Sequence, residues 1–274
     1  MTKPALAREM PDGSRMYCHP VSGEIVPSVT TIMNIIAKPG LIGWSARQAA
    51  QYAVSNWCSL SDMPVVYRTK EIAEAHQRTA QAAADKGDLV HDMIDKWSKG
   101  VIMEPPKAIK GQVNQYVNFM MTEKPKFIEN EVTVWSRTHG FAGTADWIAE
   151  LDGKIVIGDN KTGKRIYPEV GLQLSALRHA DFIIREDGEE VPMPPIEDML
   201  ALHIRPRSYK LVRVTDDEAN WSSFLAARTI YDWIRHSDPL GVVCGRLRGR
   251  ASRPATGAAG QGPGIRGPVP GAAG

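Results

Sequence analysis

The 274-residue chain is poor in cysteine and contains no long apolar run. Its three cysteines, Cys18, Cys58 and Cys244, form no Cys-x-x-Cys pair, which argues against a zinc or redox dithiol motif. A four-thiolate iron–sulfur cluster is excluded by counting unless another chain supplies a ligand, and we expect reduced thiols. No segment approaches the roughly 20 apolar residues of a membrane span, and residues 1–11 lack the apolar run of a secretory signal. We therefore expect a cytoplasmic protein that makes no membrane contact.

The chain also has little excess charge of either sign, because 33 basic residues are balanced by 31 acidic ones and the formal net charge is +2. From residue 245 onward the chain has five arginines, no acids, nine of the 24 glycines and four of the 19 prolines. This composition predicts a disordered Gly/Pro/Arg-rich tail at residues 245–274. The first 244 residues then have 28 basic and 31 acidic residues, so they are not a strongly basic, charge-driven binder.

The apolar pattern before the tail predicts a helical front end followed by a strand-rich centre. The predicted helices cover residues 43–56, 69–84, 88–98, 168–184 and 216–235, with a break at 86–87. The predicted strands cover residues 131–138, 141–151, 154–161, 200–204 and 209–214. This order favours an α/β (α+β) fold in which helices flank a central mixed sheet with an antiparallel meander. We expect an N-terminal helical region at 1–68 packed on a core at 69–244.

The Asp152-Gly153 dipeptide predicts a two-residue hairpin turn, which sets the register of its two strands. Leu151 would then pair with Lys154, and Asp146 would lie directly opposite Asp159. Like charges so placed destabilise a sheet, and a hard divalent cation with oxygen ligands would offset their repulsion. The register also places Thr144 opposite Lys161, a second cation on the same face. The alternative is that the two acids are solvated strand-end residues and that Lys161 is their surface partner.

These residues resemble the PD-(D/E)XK nucleases, and within them the RecB-type branch of phage exonucleases without an iron–sulfur cluster. The resemblance covers residues 25–235 and rests on several motifs in order. They are a helical histidine motif at 87–91, a first-strand acid at Glu131, G-x-x-D at 143–146, D-x-K-T-G-K at 159–164, and Gln173 of a Q-x-x-x-Y helix motif. Leu177 stands where that last motif has tyrosine. The resemblance implies a PD-(D/E)XK core, restriction-endonuclease-like in architecture.

The resemblance also implies the roles of the site residues. Asp146, Asp159, the main-chain carbonyl of Asn160 and His91 would hold Mg²⁺, with Mn²⁺ as a substitute, and Lys161 would orient the attacking water. Glu131 would share the face of Asp146 if residues 139–140 form a two-residue turn, although a bulge at Gly143 would change the register. Gln173 either contacts the scissile strand or packs its helix. Candidate DNA contacts are Lys164, Arg165, Arg137, Arg205, Arg207 and Lys210.

The implied activity is metal-dependent hydrolysis of DNA from an end, in phage-type recombination, repair or replication. The implied partners are DNA, a single-strand annealing protein or recombinase, and further copies of the chain, in the host cytoplasm if a phage encodes it. Two alternatives stay open: an endonuclease that uses the same site, and a module that binds DNA ends or a recombinase without cleavage. Residues 158–164 also match the G-x(4)-G-K of a phosphate-binding loop, but Arg165 follows where that motif needs serine or threonine.

Overall fold

A computed structural model describes residues 6–236 apart from residues 99 and 102. The tail predicted at 245–274 lies outside these residues. As far as Arg235 the chain is one compact unit, and a single helix crosses the boundary that we predicted between residues 68 and 69. The front region and the core are therefore parts of one unit, and this helix runs across the predicted boundary between them. In the described part of the chain, no helix is long and apolar enough to cross a membrane.

The front end begins with three short strands that the sequence pattern did not predict. They are β1 (Ala7–Glu9), β2 (Arg15–Cys18) and β3 (Ile25–Pro27), and they pair as an antiparallel sheet in the order β1-β2-β3. Strands of three or four residues are too short to show an alternating pattern in the sequence, which is why they were not predicted. The front end at residues 1–68 therefore contains a small sheet as well as helices. The helices that follow are α1 (Val29–Met33), α2 (Pro39–Ser55), α3 (Trp57–Ser61), α4 (Val65–Ala73), α5 (Ala75–Ser98) and α6 (Lys110–Glu123).

Helix α5 passes through residues 86–87, where we predicted a break. The break lies at Glu74 instead, between α4 and α5. Glycine inside a helix costs about 1 kcal/mol relative to alanine. At position 87 this cost is accepted because the segment after β6 passes close to the helix. A Cβ atom at this position would lie 3.2 Å from Thr162 Oγ1. The glycine therefore marks close packing of α5 on the sheet and does not end the helix.

The centre of the fold is a mixed seven-stranded sheet in the order β10-β9-β6-β5-β4-β7-β8. Its strands are β4 (Lys126–Ser136), β5 (Phe141–Leu151), β6 (Lys154–Lys161), β7 (Phe182–Ile184), β8 (Glu190–Pro192), β9 (Asp198–Arg205) and β10 (Ser208–Val214). Strands β6 and β9 are parallel, and the other neighbours are antiparallel. The predicted class, a mixed sheet with an antiparallel meander flanked by helices, is confirmed.

The segment after β6 differs from its prediction. Helix α7 ends at Arg178 (Glu169–Arg178), and the last residues of the helix predicted at 168–184 form β7. Phe182, Ile183 and Ile184 are all buried, and they pair with Trp135, Val134 and Thr133 of β4. β-branched and aromatic side chains fit a buried strand better than a helix. The last helix, α8 (Asp217–His236), is confirmed within one residue at each end.

Apolar side chains from the two faces of the sheet form two buried layers. The first layer joins sheet residues such as Ile148 and Ile157 to α1, α7 and α8. The second layer joins Trp147, Val156 and others to α5 and α6. Helices therefore cover both faces, and polar residues of β5 and β6 lie between α5 on one side and α7 on the other.

Candidate functional site

The β5–β6 hairpin has the predicted register near its turn. Asp152 and Gly153 have φ values of 50° and 76°, as a two-residue turn of this kind requires, and Leu151 pairs with Lys154. The described ladder continues to Trp147 paired with Gly158 and ends there. Beyond that point β6 pairs only with β9 among the described strands, as far as Lys161 opposite His203.

The predicted direct pairing of Asp146 with Asp159 therefore lies one step beyond the end of this ladder, and that of Thr144 with Lys161 lies three steps beyond it, so both were wrong. Instead, the Asp146 carboxylate takes the place of a strand partner. Its Oδ2 atom accepts a hydrogen bond of 2.6 Å from the backbone N–H of Asn160. The two strands separate, and carboxylates occupy the opening.

The side-chain alternation of β5 changes phase at Asp146. Ala145 packs in the first apolar layer, whereas Trp147, two residues later, packs in the second. In a regular strand these two residues would share a face. On β4, the flanking pairs Asn130–Trp147 and Val132–Ala145 place Glu131 opposite this irregularity, and Glu131 has a left-handed φ of 49°. Such backbone conformations in non-glycine residues concentrate at functional sites.

The turn between β4 and β5 is longer than predicted. Ser136 pairs with Phe141, so residues 137–140 form a four-residue turn and the two-residue turn at 139–140 was wrong. Because the shift is an even number of residues, Glu131 still lies beside Asp146. Gly143 pairs regularly with Val134, and the register shift between these strands lies between Phe127 and Glu129 instead.

His91 projects from α5 between these two acids. Its Nδ1 atom lies 3.5 Å from Asp146 Oδ2 and 4.0 Å from Glu131 Oε1. Its Nε2–H donates a 3.0 Å hydrogen bond to the main-chain carbonyl of Asn160. One ligand atom from each of His91, Glu131 and Asp146 lies within 4.8 Å of the other two. We refer to these three residues as the acid–histidine cluster.

The electrostatics of the cluster are those of a site that needs a cation. Burial lowers the pKa of His91, but Asp146 and Glu131 more than reverse this effect and raise the pKa to about 9. Burial raises the pKa of Asp146, although His91 opposes that shift. A protonated imidazole therefore balances the carboxylates in the protein alone, and a divalent ion could replace it.

Asp159, Lys161 and Gln173 form a second group beside the cluster. Asp159 Oδ2 lies 2.8 Å from Lys161 Nζ, and the Gln173 amide donates to Asp159 Oδ1 at 2.9 Å. Lys161 Nζ in turn donates to Gln173 Oε1 at 3.0 Å. Gln173 is thus part of a polar triangle, and packing of α7 is not its main contact. Burial raises the pKa of Asp159 to about 6 even though Lys161 opposes this shift, and Asp146 raises it further.

The two groups line one cleft of about 700 Å³. Its oxygen donors, the carboxylates of Glu131 and Asp146 and the main-chain carbonyl of Asn160, are the ligands that Mg²⁺ and Mn²⁺ prefer. Asp159 Oδ2 is fully buried and has no hydrogen-bond partner among the described residues apart from its ion pair with Lys161. These donors fit a hard divalent cation, with His91 as a nitrogen ligand.

The basic residues predicted to contact DNA lie in two regions: five lie near the end of β6, and Arg137 lies near the β7–β8 edge of the sheet. Lys161, His203 and Lys210 are successive partners across β6, β9 and β10, so they share one face of the sheet. The Arg205 side chain donates to Gly163 O at 2.7 Å, just beyond β6. Three further candidates at this end of the sheet are exposed: Lys164, Arg165, which stacks on Tyr167, and Arg207.

Arg137 is not part of this group. It makes a bidentate ion pair with Glu190 and stacks on Phe182, near the β7–β8 edge of the sheet. Its guanidinium is already paired with a carboxylate. Its proposed DNA contact therefore has no support from its position.

Several residues that shape the site were missed by sequence reasoning. Trp147 donates from Nε1 to Asn160 Oδ1 at 3.1 Å, and Tyr17 shares a 2.7 Å hydrogen bond with Thr144. The signal for Trp147 was available, because the hairpin register pairs this large residue with Gly158. Tyr17 lies in a strand that the pattern did not predict. Leu177 is buried, and a Cβ atom on Gly143 would meet it, so this leucine fills the space beside the cleft.

Comparisons with known proteins provide little beyond this geometry. No family model matches the sequence, and no curated protein matches it. Fourteen chains of solved structures show similarity, among them one titled "Crystal structure of SSO0001". It has 14% sequence identity and a TM-score of 0.30, over 72% of this chain and 80% of that chain. At this TM-score the likeness identifies neither a family nor an activity.

Proposed function

We propose that this chain is a metal-dependent DNA nuclease with a PD-(D/E)XK core, acting as an exonuclease in phage-type DNA recombination, repair or replication. One observation carries the proposal. The acid–histidine cluster and the group of Asp159, Lys161 and Gln173 meet in a single cleft where β5 and β6 separate. Each group places charge in a mostly buried position, which a purely structural role would not require.

The acid–histidine cluster would hold the metal ion together with the Asn160 carbonyl, and Asp159, which lines the same cleft, would be a further ligand. A bound Mg²⁺ or Mn²⁺ supplies a water of lowered pKa and positive charge for the phosphoryl oxygens. The chain's contribution is to hold these oxygen donors in place before substrate arrives. It does so with backbone groups of Asn160, which contact Asp146 on one side and His91 on the other.

Lys161 provides the second cation of the site. The buried Asp159 carboxylate forms an ion pair with its ammonium group, and Gln173 accepts one of its hydrogen bonds and so limits its direction. An ammonium held in this way can orient the attacking water and stabilise charge that develops on the phosphate. Lys164, Arg165, Arg205, Arg207 and Lys210 would guide the DNA backbone toward it.

A module that binds DNA without cutting it has less support. Burial raises the pKa of both Asp146 and Asp159, which means that their ionised forms destabilise the fold at neutral pH. A pure binding module would gain from losing these carboxylates. Their presence beside an oriented lysine favours catalysis.

Digestion of DNA by the purified full-length chain tests the proposal. End-labelled linear and closed circular DNA would be incubated with Mg²⁺, Mn²⁺ or EDTA. We expect metal-dependent loss of linear DNA, abolished in Lys161→Ala and retained in Lys154→Ala, an exposed lysine at the other end of β6. Cutting of closed circles would identify an endonuclease. DNA binding without cleavage under any metal would overturn the catalytic claim and favour the binding module.

A further inference from the structure

A buried tryptophan is joined to the residue that links the two halves of the site. Trp147 Nε1–H donates to the side-chain oxygen of Asn160 at 3.1 Å, and both residues are at most 3% exposed. Trp147 directly follows Asp146 in β5, and Asn160 lies between Asp159 and Lys161 in β6. The hydrogen bond therefore spans the strands just beyond the point where their backbone ladder ends.

Gly158 makes this contact feasible. The Trp147 ring lies over Gly158, and a Cβ atom at position 158 would overlap the ring. The ring is also held by aromatic neighbours. The centroid of the Phe127 ring lies 6.2 Å from that of Trp147 in an edge-on arrangement, and the centroid of the Phe119 ring lies 6.1 Å away. A ring fixed by packing is a donor of fixed direction, so the Asn160 side chain has one preferred position.

Both backbone groups of Asn160 that face the site depend on the orientation of this residue. Its N–H donates to Asp146 Oδ2 at 2.6 Å, and its carbonyl accepts from His91 Nε2 at 3.0 Å. No β5 backbone partner holds Asn160 on this side in the described ladder. On the other side Asn160 pairs with Leu202 of β9, and from β5 the Trp147 hydrogen bond fixes the Asn160 side chain.

We infer that Trp147 is a positioning residue, which acts through Asn160 to align the Asp146 carboxylate and the Asn160 carbonyl as metal ligands. The inference rests on the proposed function for the identity of the bound group, a hard divalent cation. Residues that orient metal ligands typically change metal affinity about 10- to 100-fold when they are removed. Loss of the indole N–H would leave Asn160 Oδ1 buried without a donor, and the side chain would turn to find another.

The test compares two tryptophan-to-phenylalanine substitutions in the full-length chain. Trp147→Phe removes the donor and keeps most of the ring. Trp135→Phe is the matched control, because Trp135 is fully buried on β4 and its Nε1 has no hydrogen-bond partner in the described part of the chain. Mn²⁺ affinity would be measured by electron paramagnetic resonance, without DNA, together with the melting temperature Tm.

We expect Trp147→Phe to weaken Mn²⁺ binding about 10-fold or more and Trp135→Phe to leave it unchanged. In a double-mutant cycle, Asn160→Leu should weaken binding by a similar factor. Adding Trp147→Phe to it should cause little further loss, because both changes remove the same hydrogen bond. A positioning role predicts these affinity changes even after Tm differences between the two tryptophan variants are taken into account.

Unchanged Mn²⁺ affinity in Trp147→Phe, with normal binding by the parent protein, would overturn the positioning role and leave the nuclease proposal intact. Equal losses in Trp147→Phe and Trp135→Phe would also overturn it, because they would reflect general destabilisation. If the parent protein itself bound no Mn²⁺, both this inference and the metal site of the proposed function would fail. If Trp147→Phe only weakens metal binding, its DNA cleavage should return at saturating Mn²⁺. Cleavage that stays lost there would contradict a role limited to positioning the metal ligands.

Discussion

The two ends of the β5–β6 hairpin follow opposite rules. At the turn, Asp152 and Gly153 adopt the positive φ values of a tight hairpin, and the strands pair residue by residue. At the open end, pairing stops at Trp147 and Gly158, and the backbone of Asn160 hydrogen-bonds to side chains instead of to β5. The first end is built for stability. The second gives up strand pairing to hold three carboxylates near two cations.

This difference shows how a sheet can carry a charged site. A regular strand pair offers no unpaired backbone groups, so it has nothing to orient a carboxylate or bind an ion. Separation of the strands frees the N–H and the carbonyl of Asn160, and the phase change at Asp146 turns that carboxylate toward them. The same kind of substitution should therefore have different consequences at the two ends of the hairpin.

The largest effect is expected at Glu131, which lies opposite the open end. Glu131→Gln should lower Mn²⁺ affinity and DNA cleavage by about 100-fold or more, because it removes a charged oxygen donor from the acid–histidine cluster. Glu129→Gln is the matched control on the same strand, since Glu129 is bound by Arg185 through two hydrogen bonds. It should reduce stability and leave Mn²⁺ titrations unchanged. Equal loss of metal binding in both variants would contradict the assignment of Glu131.

A pair of glycine substitutions compares the stability of the two ends. Gly158→Ala should cost about 3 kcal/mol or more, because the new methyl group would overlap the buried Trp147 ring. Gly153→Ala should cost about 1 kcal/mol, because its Cβ meets nothing within 4 Å and only the φ of 76° is unfavourable. Denaturant unfolding of both variants gives the comparison, and a larger cost at Gly153 would refute it.

The open end should also be a source of instability that depends on pH. The pKa of Asp159 rises from 3.8 to about 6 on folding, so its ionisation opposes folding. Relative to an uncharged residue, metal-free protein should lose stability as the pH rises from 4 through 6, by an amount on the order of 3 kcal/mol. In EDTA, Asp159→Asn should therefore unfold at a higher temperature than the parent at pH 8 and show no such advantage at pH 4. A lower Tm than the parent at pH 8 would show that the Lys161 ion pair dominates.

The smallest effect concerns the cations beyond the open end. Lys210→Ala should weaken DNA binding severalfold and lower the slope of log affinity against log salt by about one, as expected for a lost phosphate contact. Arg137→Ala removes a cation that is already paired with Glu190, so it should not change that slope. Salt titrations of a fluorescent duplex would distinguish the two, and equal slopes for both variants would place the DNA elsewhere.

Local sequence signals predicted the parts of the fold that local chemistry determines. Asp152-Gly153 defined the hairpin register, and this register brought Asp146, Asp159 and Lys161 to one end of the strands. The departures depend on long-range packing. Residues 182–184 become β7 because β4 offers them a partner, and Gly87 lies inside α5, where the missing side chain leaves room for Thr162.

The candidate site was predictable in its members but not in its arrangement. The resemblance named His91, Glu131, Asp146, Asn160 and Gln173, and the structure brings these residues to one cleft. The phase change at Asp146 could not be predicted, because it results from packing Ala145 and Trp147 into opposite layers. The link from Trp147 to Asn160 needs both strands in place before it exists.

We propose above all that the open end of the hairpin binds a divalent metal ion. Anomalous diffraction from crystals soaked in Mn²⁺ would check this binding without assumptions about activity, because the signal locates the ion itself. We predict an anomalous peak between His91, Glu131 and Asp146, in contact with the Asn160 carbonyl, which disappears in crystals of Asp146→Asn. Crystals soaked in saturating Mn²⁺ that show no peak in this cleft, or a peak only elsewhere, would contradict metal binding at the open end.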